Sequence, residues 1–226
     1  MPFLPVPVVA RVADDLLPAA RTLIDTASDA FAADPDAGVS CRAGCTACCS
    51  QAVPVLPAEL RAVVAAITRL PDDQRSDVER RAREASAAIE AAGISPATFV
   101  AAGTDPAHRR AAAMRYLALD VPCPLLDGGV CAIRPDRPLA CREYLVVSDP
   151  VHCAPSGVSA EQIVRIRSHN DMRRGFAEVS ASFGEPTEQI LVFALADALR
   201  DGAPAAPAAE PRSGPRTAAM LTPVRV

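Results

Sequence analysis

The chain has no lysine and no tryptophan, and aromatic residues make up only 4% of its 226 positions. Without lysine, every mechanism that needs a catalytic lysine is excluded. All 23 basic residues are arginine, which reads first as a coding bias. Half of the residues are hydrophobic, enough for a core, but alanine carries much of that share. With few large rings to fill space, the packing is expected to be close, helix against helix. No run of about 18 apolar residues occurs, so no membrane span is expected. The formal net charge of -4 argues against sequence-independent binding of nucleic acid, which needs clustered positive charge. Met1 to Pro7 has neither a positive start nor an uninterrupted apolar stretch, so nothing directs export and a cytoplasmic location is expected.

What is present is cysteine, in two groups. Four of the eight fall within Cys41-Arg42-Ala43-Gly44-Cys45-Thr46-Ala47-Cys48-Cys49, and the others are Cys123, Cys131, Cys141 and Cys153. Ligands three or four positions apart on a tight loop can point at one centre, while one member of an adjacent pair generally points elsewhere. Cys48 and Cys49 therefore suggest more than one metal ion. Soft thiolates select zinc, copper(I) or an iron-sulfur cluster over magnesium or calcium. The run Cys41-x3-Cys45-x2-Cys48 has three-ligand, cluster-loop spacing, with a fourth ligand expected from a distant segment such as Cys123-Pro124. Gly44 is expected to let the backbone pass close to a metal or sulfur and to free amides for bonds to thiolates.

Three other readings compete. Disulfides are disfavoured where thiols stay reduced. A lone cysteine is most often a buried structural residue, which four in nine residues are not. Cys45-Thr46-Ala47-Cys48 formally fits a redox pair, but no strand-helix pattern of a thioredoxin-like unit surrounds it. All eight cysteines are thus candidate metal ligands. Arg137 and Arg142 are the charges of most interest, because guanidiniums near thiolates offset negative charge and donate hydrogen bonds to sulfur or to an anionic cofactor or substrate. The plainer alternative is an ion pair with Asp136 or Glu143. His152, beside Cys153, is left open between a nitrogen ligand and a residue that only orients one.

The remaining chain reads as helices. Leu16, Ala20, Leu23, Ala27 and Phe31 share one face of a first helix, capped at Asp15 with Pro18 in its first turn. Pro57 suits the start of a second, with Leu60, Val63, Val64, Ile67 and Leu70 as its stripe. A third, from Asp72 or Asp73, has the thin apolar face Val78, Ala82, Ala85 and Ile89, and its charge run is a solvated face. Asp105-Pro106 opens another, on which His108 is expected to be exposed. Asp127-Gly128-Gly129 between short apolar runs signals a hairpin, with Cys123 and Cys131 on opposite arms. Ser159 to Gln162 has a capping-box pattern before a long helix reaching Phe183, with His169 near its stripe as a core histidine. Pro186 starts a last helix, apolar nearly all round from Ile190 to Leu199. The expected fold is mainly α: one helical domain over 11–200 with a short β-hairpin and cysteine-rich loops forming a metal site, then a disordered Pro/Ala-rich tail over 201–226.

Together, Cys41 to Cys49, Cys123-Pro124-Leu125, Cys131-Ala132-Ile133 and Arg137-Pro138-Leu139-Ala140-Cys141-Arg142-Glu143-Tyr144 resemble the bacterial cysteine-cluster family with a CxxCxxCC signature. The first spacing is three residues where the signature has two, and Arg134 stands where that family often has tyrosine. The resemblance covers 41–144 and implies zinc or iron chelation with no assigned reaction. The expected function is therefore metal binding, as an iron-sulfur cluster or one to two zinc ions. Metal ions are the partners expected, with no nucleic acid and no membrane, and a protein partner is left open. An enzyme using the centre for methyl transfer or redox chemistry is one alternative, and metal storage, delivery or sensing is another. The spacing also matches radical S-adenosylmethionine enzymes, but no strand precedes the loop and no strand-helix alternation builds a barrel.

Overall fold

The computed structural model describes residues 8–42, 44–103, 105–155, 163–164, 170–182 and 188–200. The expected capping box at Ser159, His169, Phe183, Pro186 and the tail from 201 lie outside the described residues. Within them the chain is mostly helical: α1 (Val8–Ala33), α2 (Pro57–Thr68), α3 (Asp72–Ala91), α4 (Pro96–Ala102), α5 (Pro106–Leu117), α6 (Leu139–Arg142), α7 (Asn170–Ser182) and α8 (Leu191–Arg200). Four two-residue strands form two antiparallel pairs: β1 (Pro54–Val55) with β4 (Gln189–Ile190), and β2 (Leu126–Asp127) with β3 (Val130–Cys131). No single helix is long and apolar enough to cross a membrane.

Local sequence explains most boundaries. Pro57, Pro96 and Pro106 stand at the first helical positions, where a missing N–H costs nothing. Asp105 caps α5 by accepting from the amides of Ala107, at 2.8 Å, and His108, at 3.3 Å. Gly128 and Gly129, at φ +52° and +82°, fill both central positions of the hairpin turn, the backbone that a two-residue connection between right-twisted strands requires.

The core has three clusters. Val63, Ala66 and Ile67 of α2 meet Val78 and Ala82 of α3 and Leu195 of α8, closed by Leu125 and Ile133 from the hairpin region. Ala13, Leu17 and Ile24 of α1 meet Leu56, Leu139 and Phe176. Ile89, Ile94, Tyr116, Val192 and Phe193 make the third. The expected stripe of α3 is buried in full. On α1 the inward face is rotated by one position: Ala13, Leu17, Ile24 and Ser28 are buried, while Leu16 and Leu23 are 39% and 59% exposed. Leucines lie on both candidate faces, Leu16 and Leu23 on one and Leu17 on the other, and packing against Leu56, Leu139 and Phe176 selects the second; α1 also begins before Asp15 and carries Pro18 inside. Helix α4 was not expected, since Gly93 and Pro96 read as breaks. Pro96 instead opens it.

Candidate metal centre

The loop after α1 enters the site tied to the segment after α6. The amide and hydroxyl of Ser40 both donate to the carbonyl of Val146, at 2.9 and 3.0 Å. Two turns follow, closed by Cys45 N–H to Arg42 O at 3.1 Å and Cys49 N–H to Thr46 O at 2.8 Å. Gly44 has φ +83°, and a Cβ there would meet no protein atom within 4 Å. Glycine is therefore required by backbone conformation, which differs from the close approach expected from sequence.

The two cysteine groups meet through the main chain: Cys123 N–H donates to Cys49 O at 2.7 Å. Hairpin register places Cys131 opposite Leu126, whose N–H donates to Cys123 O at 2.9 Å. Cys123 and Cys131 thus lie on opposite sides of one turn, as expected. Arg81 of α3 holds the hairpin through Asp127 at 3.3 Å. Cys141 rides on α6, whose first amide, Leu139 N–H, donates to the buried carboxylate of Glu59 at 2.7 Å. The same carboxylate accepts Leu56 N–H at 3.0 Å, so one side chain fixes the starts of both α2 and the cysteine-bearing α6. Cys153 closes a short 3-10 turn, Pro150–Cys153, capped by Asp149. Gln51 joins the ends: its amide donates to the Tyr144 hydroxyl at 3.0 Å and to Cys153 O at 3.3 Å.

None of the eight cysteines is in a disulfide. Three sulfurs accept backbone N–H groups: Cys41 from Val146 at 3.4 Å, Cys123 from Leu125, and Cys131 from Ile133. An amide aimed at sulfur favours the thiolate, the form that binds metal. Burial works the other way and dominates, pushing the Cys123 thiol up to about 12 and the Cys153 thiol up to about 11. Cys141 is raised well above its ordinary value by burial, then by Cys123, Cys48 and Cys131. Cys48 is raised first by its hydrogen bond with Cys49 and then by burial. The thiols of Cys41, Cys48, Cys123, Cys131, Cys141 and Cys153 are thus held toward the neutral form in the metal-free protein, and a metal must displace their protons.

Arg137 and Arg142 have different surroundings. The guanidinium of Arg142 is buried at 5% exposure and occupied: Nε donates to Arg137 O at 2.8 Å, one terminal nitrogen donates to Pro135 O, and the other pairs with Asp25. That ion pair is with neither Asp136 nor Glu143, which bond Arg21 and Arg69, and Arg173, respectively. Arg142 therefore shapes the Pro135–Arg142 bend. Arg137, half-buried, has no carboxylate partner among the described residues, and its charge acts on Cys48, Cys131 and Cys141. The Nδ1 of His152 is buried without a hydrogen-bond partner among the described residues. His108 is exposed, as expected.

Sequence reasoning missed Glu59, Gln51 and Asp25. Glu59, three residues after Leu56 and beside Pro57, carries the weak signal of an acidic residue in a first helical turn. Gln51 and Asp25 gave none.

The candidate donors are all sulfur, which suits a soft metal. No group of three or more His, Cys, Asp or Glu among the described residues is arranged to hold a metal without movement. These features define a cysteine-rich metal-chelating module. The chain belongs to the CxxCxxCC family, described as "Putative zinc- or iron-chelating domain", whose sequence model matches residues 40–170, more than half of its length. Comparisons with curated proteins and with solved structures find no match.

Proposed function

We propose that this protein binds zinc or iron through its eight cysteines, as one to two zinc ions or an iron-sulfur cluster. The observation that carries this is the set of eight uncrosslinked thiols, whose two sequence groups are tied by Cys123 N–H to Cys49 O, with backbone amides donating to three of the sulfurs. Isolated structural cysteines need neither the link between the groups nor the amides. Seven of the eight residues are partly exposed and only Cys153 is buried. Arg137 offsets part of the negative charge that thiolates accumulate on metal binding.

The test is anaerobic purification of the whole chain, then an absorption spectrum and analysis for zinc, iron and acid-labile sulfide on one sample. A brown protein with iron and sulfide near equal, or a colourless one with one to two zinc ions per chain, is the expected result. Protein that carries neither metal and binds none on reconstitution refutes the proposal.

A further inference from the structure

Helix α1 carries a polar row along one face: Arg21, Asp25 and Ser28, at positions i, i+4 and i+7. All three reach one short stretch of chain, 114 to 117 positions later. Arg21 donates to the Asp136 carboxylate at 3.2 Å and to the Asp136 carbonyl at 3.1 Å. Asp25 pairs with the Arg142 guanidinium, and the Ser28 hydroxyl donates to Arg142 O at 3.2 Å. Arg142 in turn donates to Arg137 O at 2.8 Å and to Pro135 O, so α1 grips both ends of the stretch 136–142, which carries Cys141. At its C-terminal end α1 runs through the turn Pro35–Ala37 towards the loop Cys41 to Cys49, where Ser40 bonds the Val146 carbonyl and Cys41 accepts the Val146 amide. One helix is thus tied to both cysteine-bearing stretches.

We propose that Arg21, Asp25 and Ser28 are positioning residues of the cysteine site: from α1, they fix the stretch 136–142 and so set where Cys141 stands relative to the loop Cys41 to Cys49. This rests on the metal-binding reading above. The three residues precede the part of the chain matched to the family, so the working unit of the site reaches back beyond that match. Adhesion between the two elements does not require the row, because Leu17 and Ile24 of α1 already pack with Leu139 of α6. Ser28 and Arg142 are 7% and 5% exposed, so polar groups are buried where apolar ones would serve for stability. Replacing a buried charge pair by apolar side chains is often neutral or stabilising, and the best-attested use of such a pair is to fix register. Here the register is that of α1 against the turn bearing Cys141. Arg21, Asp25 and Ser28 touch no metal themselves and act through Asp136 and Arg142.

Two readouts on the full chain test this. Timed alkylation of the metal-free protein with iodoacetamide, read by peptide mass spectrometry, follows each cysteine separately, and competition with a chelator gives zinc affinity. Asp25→Asn and Ser28→Ala are expected to speed alkylation of Cys141 several-fold and to leave Cys123, at the hairpin, unchanged. Both are expected to weaken zinc binding about tenfold, the lower end of the cost of losing an outer support of a metal site. Asp25→Glu, which keeps a carboxylate for Arg142, is expected to restore most of both. Asp14→Asn breaks the ion pair from α1 to Arg61 of α2 instead, and is expected to change neither. Unchanged Cys141 alkylation and zinc affinity overturn the proposal. So does faster alkylation of all eight cysteines alike, the mark of general loosening, or an effect of Asp14→Asn as large as that of Asp25→Asn. If Asp25→Asn fails to fold, Ser28→Ala, which removes a single hydroxyl, decides. Wild-type protein that binds no zinc or iron overturns the metal-binding reading itself, while the alkylation rates still test the placement of Cys141.

Discussion

Glu59 connects the hydrophobic core to the cysteines, and its replacement by alanine should be felt at both. The side chain is 1% exposed and accepts two backbone amides, Leu56 N–H at 3.0 Å and Leu139 N–H at 2.7 Å. Removing it leaves two buried donors with no acceptor, at about 1–3 kcal/mol each, so the loss is about 2–6 kcal/mol before any cavity term. Glu59→Gln keeps one carbonyl acceptor but turns its NH2 toward the other amide, so about half that loss is expected. The second consequence is local. Leu139 N–H is the first amide of α6, and releasing it frees the turn that carries Cys141. Metal affinity should therefore fall with stability in Glu59→Ala. Urea unfolding gives the first quantity, and competition with a chelator for zinc gives the second. A Glu59→Ala protein within about 0.5 kcal/mol of wild type, with unchanged metal affinity, would refute the view that this carboxylate organises both helix starts, since changes that small are typical of surface sites.

Three further outcomes follow from the same geometry. Arg142→Lys should destabilise by about 1–3 kcal/mol, because a single ammonium cannot replace the fork that reaches Asp25, Pro135 O and Arg137 O, and thermal unfolding measures the loss. Gly44→Ala should cost roughly 1 kcal/mol through its left-handed backbone alone, since the space is open, and should weaken metal binding by a similar factor; no effect on either would mean that the turn is not needed. In metal-free protein, Cys123 ionises near 12 when folded and near its ordinary 9.0 when unfolded, so between these values the folded state holds more protons. Stability should be unaffected by this thiol below pH 9 and fall by about 1.4 kcal/mol per pH unit above it. Metal-loaded protein, already thiolate, should lack that fall and lose stability on acidification instead, as urea midpoints across pH will show.

How far the sequence could be read varied with the physical origin of each feature. The α3 stripe, the hairpin at Asp127-Gly128-Gly129 and the proline-initiated starts of α2 and α5 are local signals, and all were legible. The face of α1 was not, because Leu16 and Leu23 on one side and Leu17 and Ile24 on the other make two apolar stripes one position, about 100°, apart, and only tertiary packing selects between them. The β1–β4 pair was invisible: Pro54 reads only as extended chain, and its partner Ile190 is far along the sequence. At the site, the cysteine spacings marked the candidate donors, and the family's description as zinc- or iron-chelating agrees with the metals expected. What organises them was hidden, because the bonds from Glu59 to Leu139, Gln51 to Tyr144 and Arg142 to Asp25 join residues 80, 93 and 117 positions apart. Arg137 and Arg142 look alike in sequence, and only the fold shows that one is fully engaged while the other faces thiols.

X-ray absorption at the edge of the metal found in the purified protein tests the central claim most directly. If the cysteines hold the metal, the first shell is sulfur, at about 2.3 Å for zinc, with nitrogen or oxygen absent or limited to a single scatterer such as His152. A first shell made only of nitrogen and oxygen would contradict the account, because no arrangement of eight bound thiolates produces it.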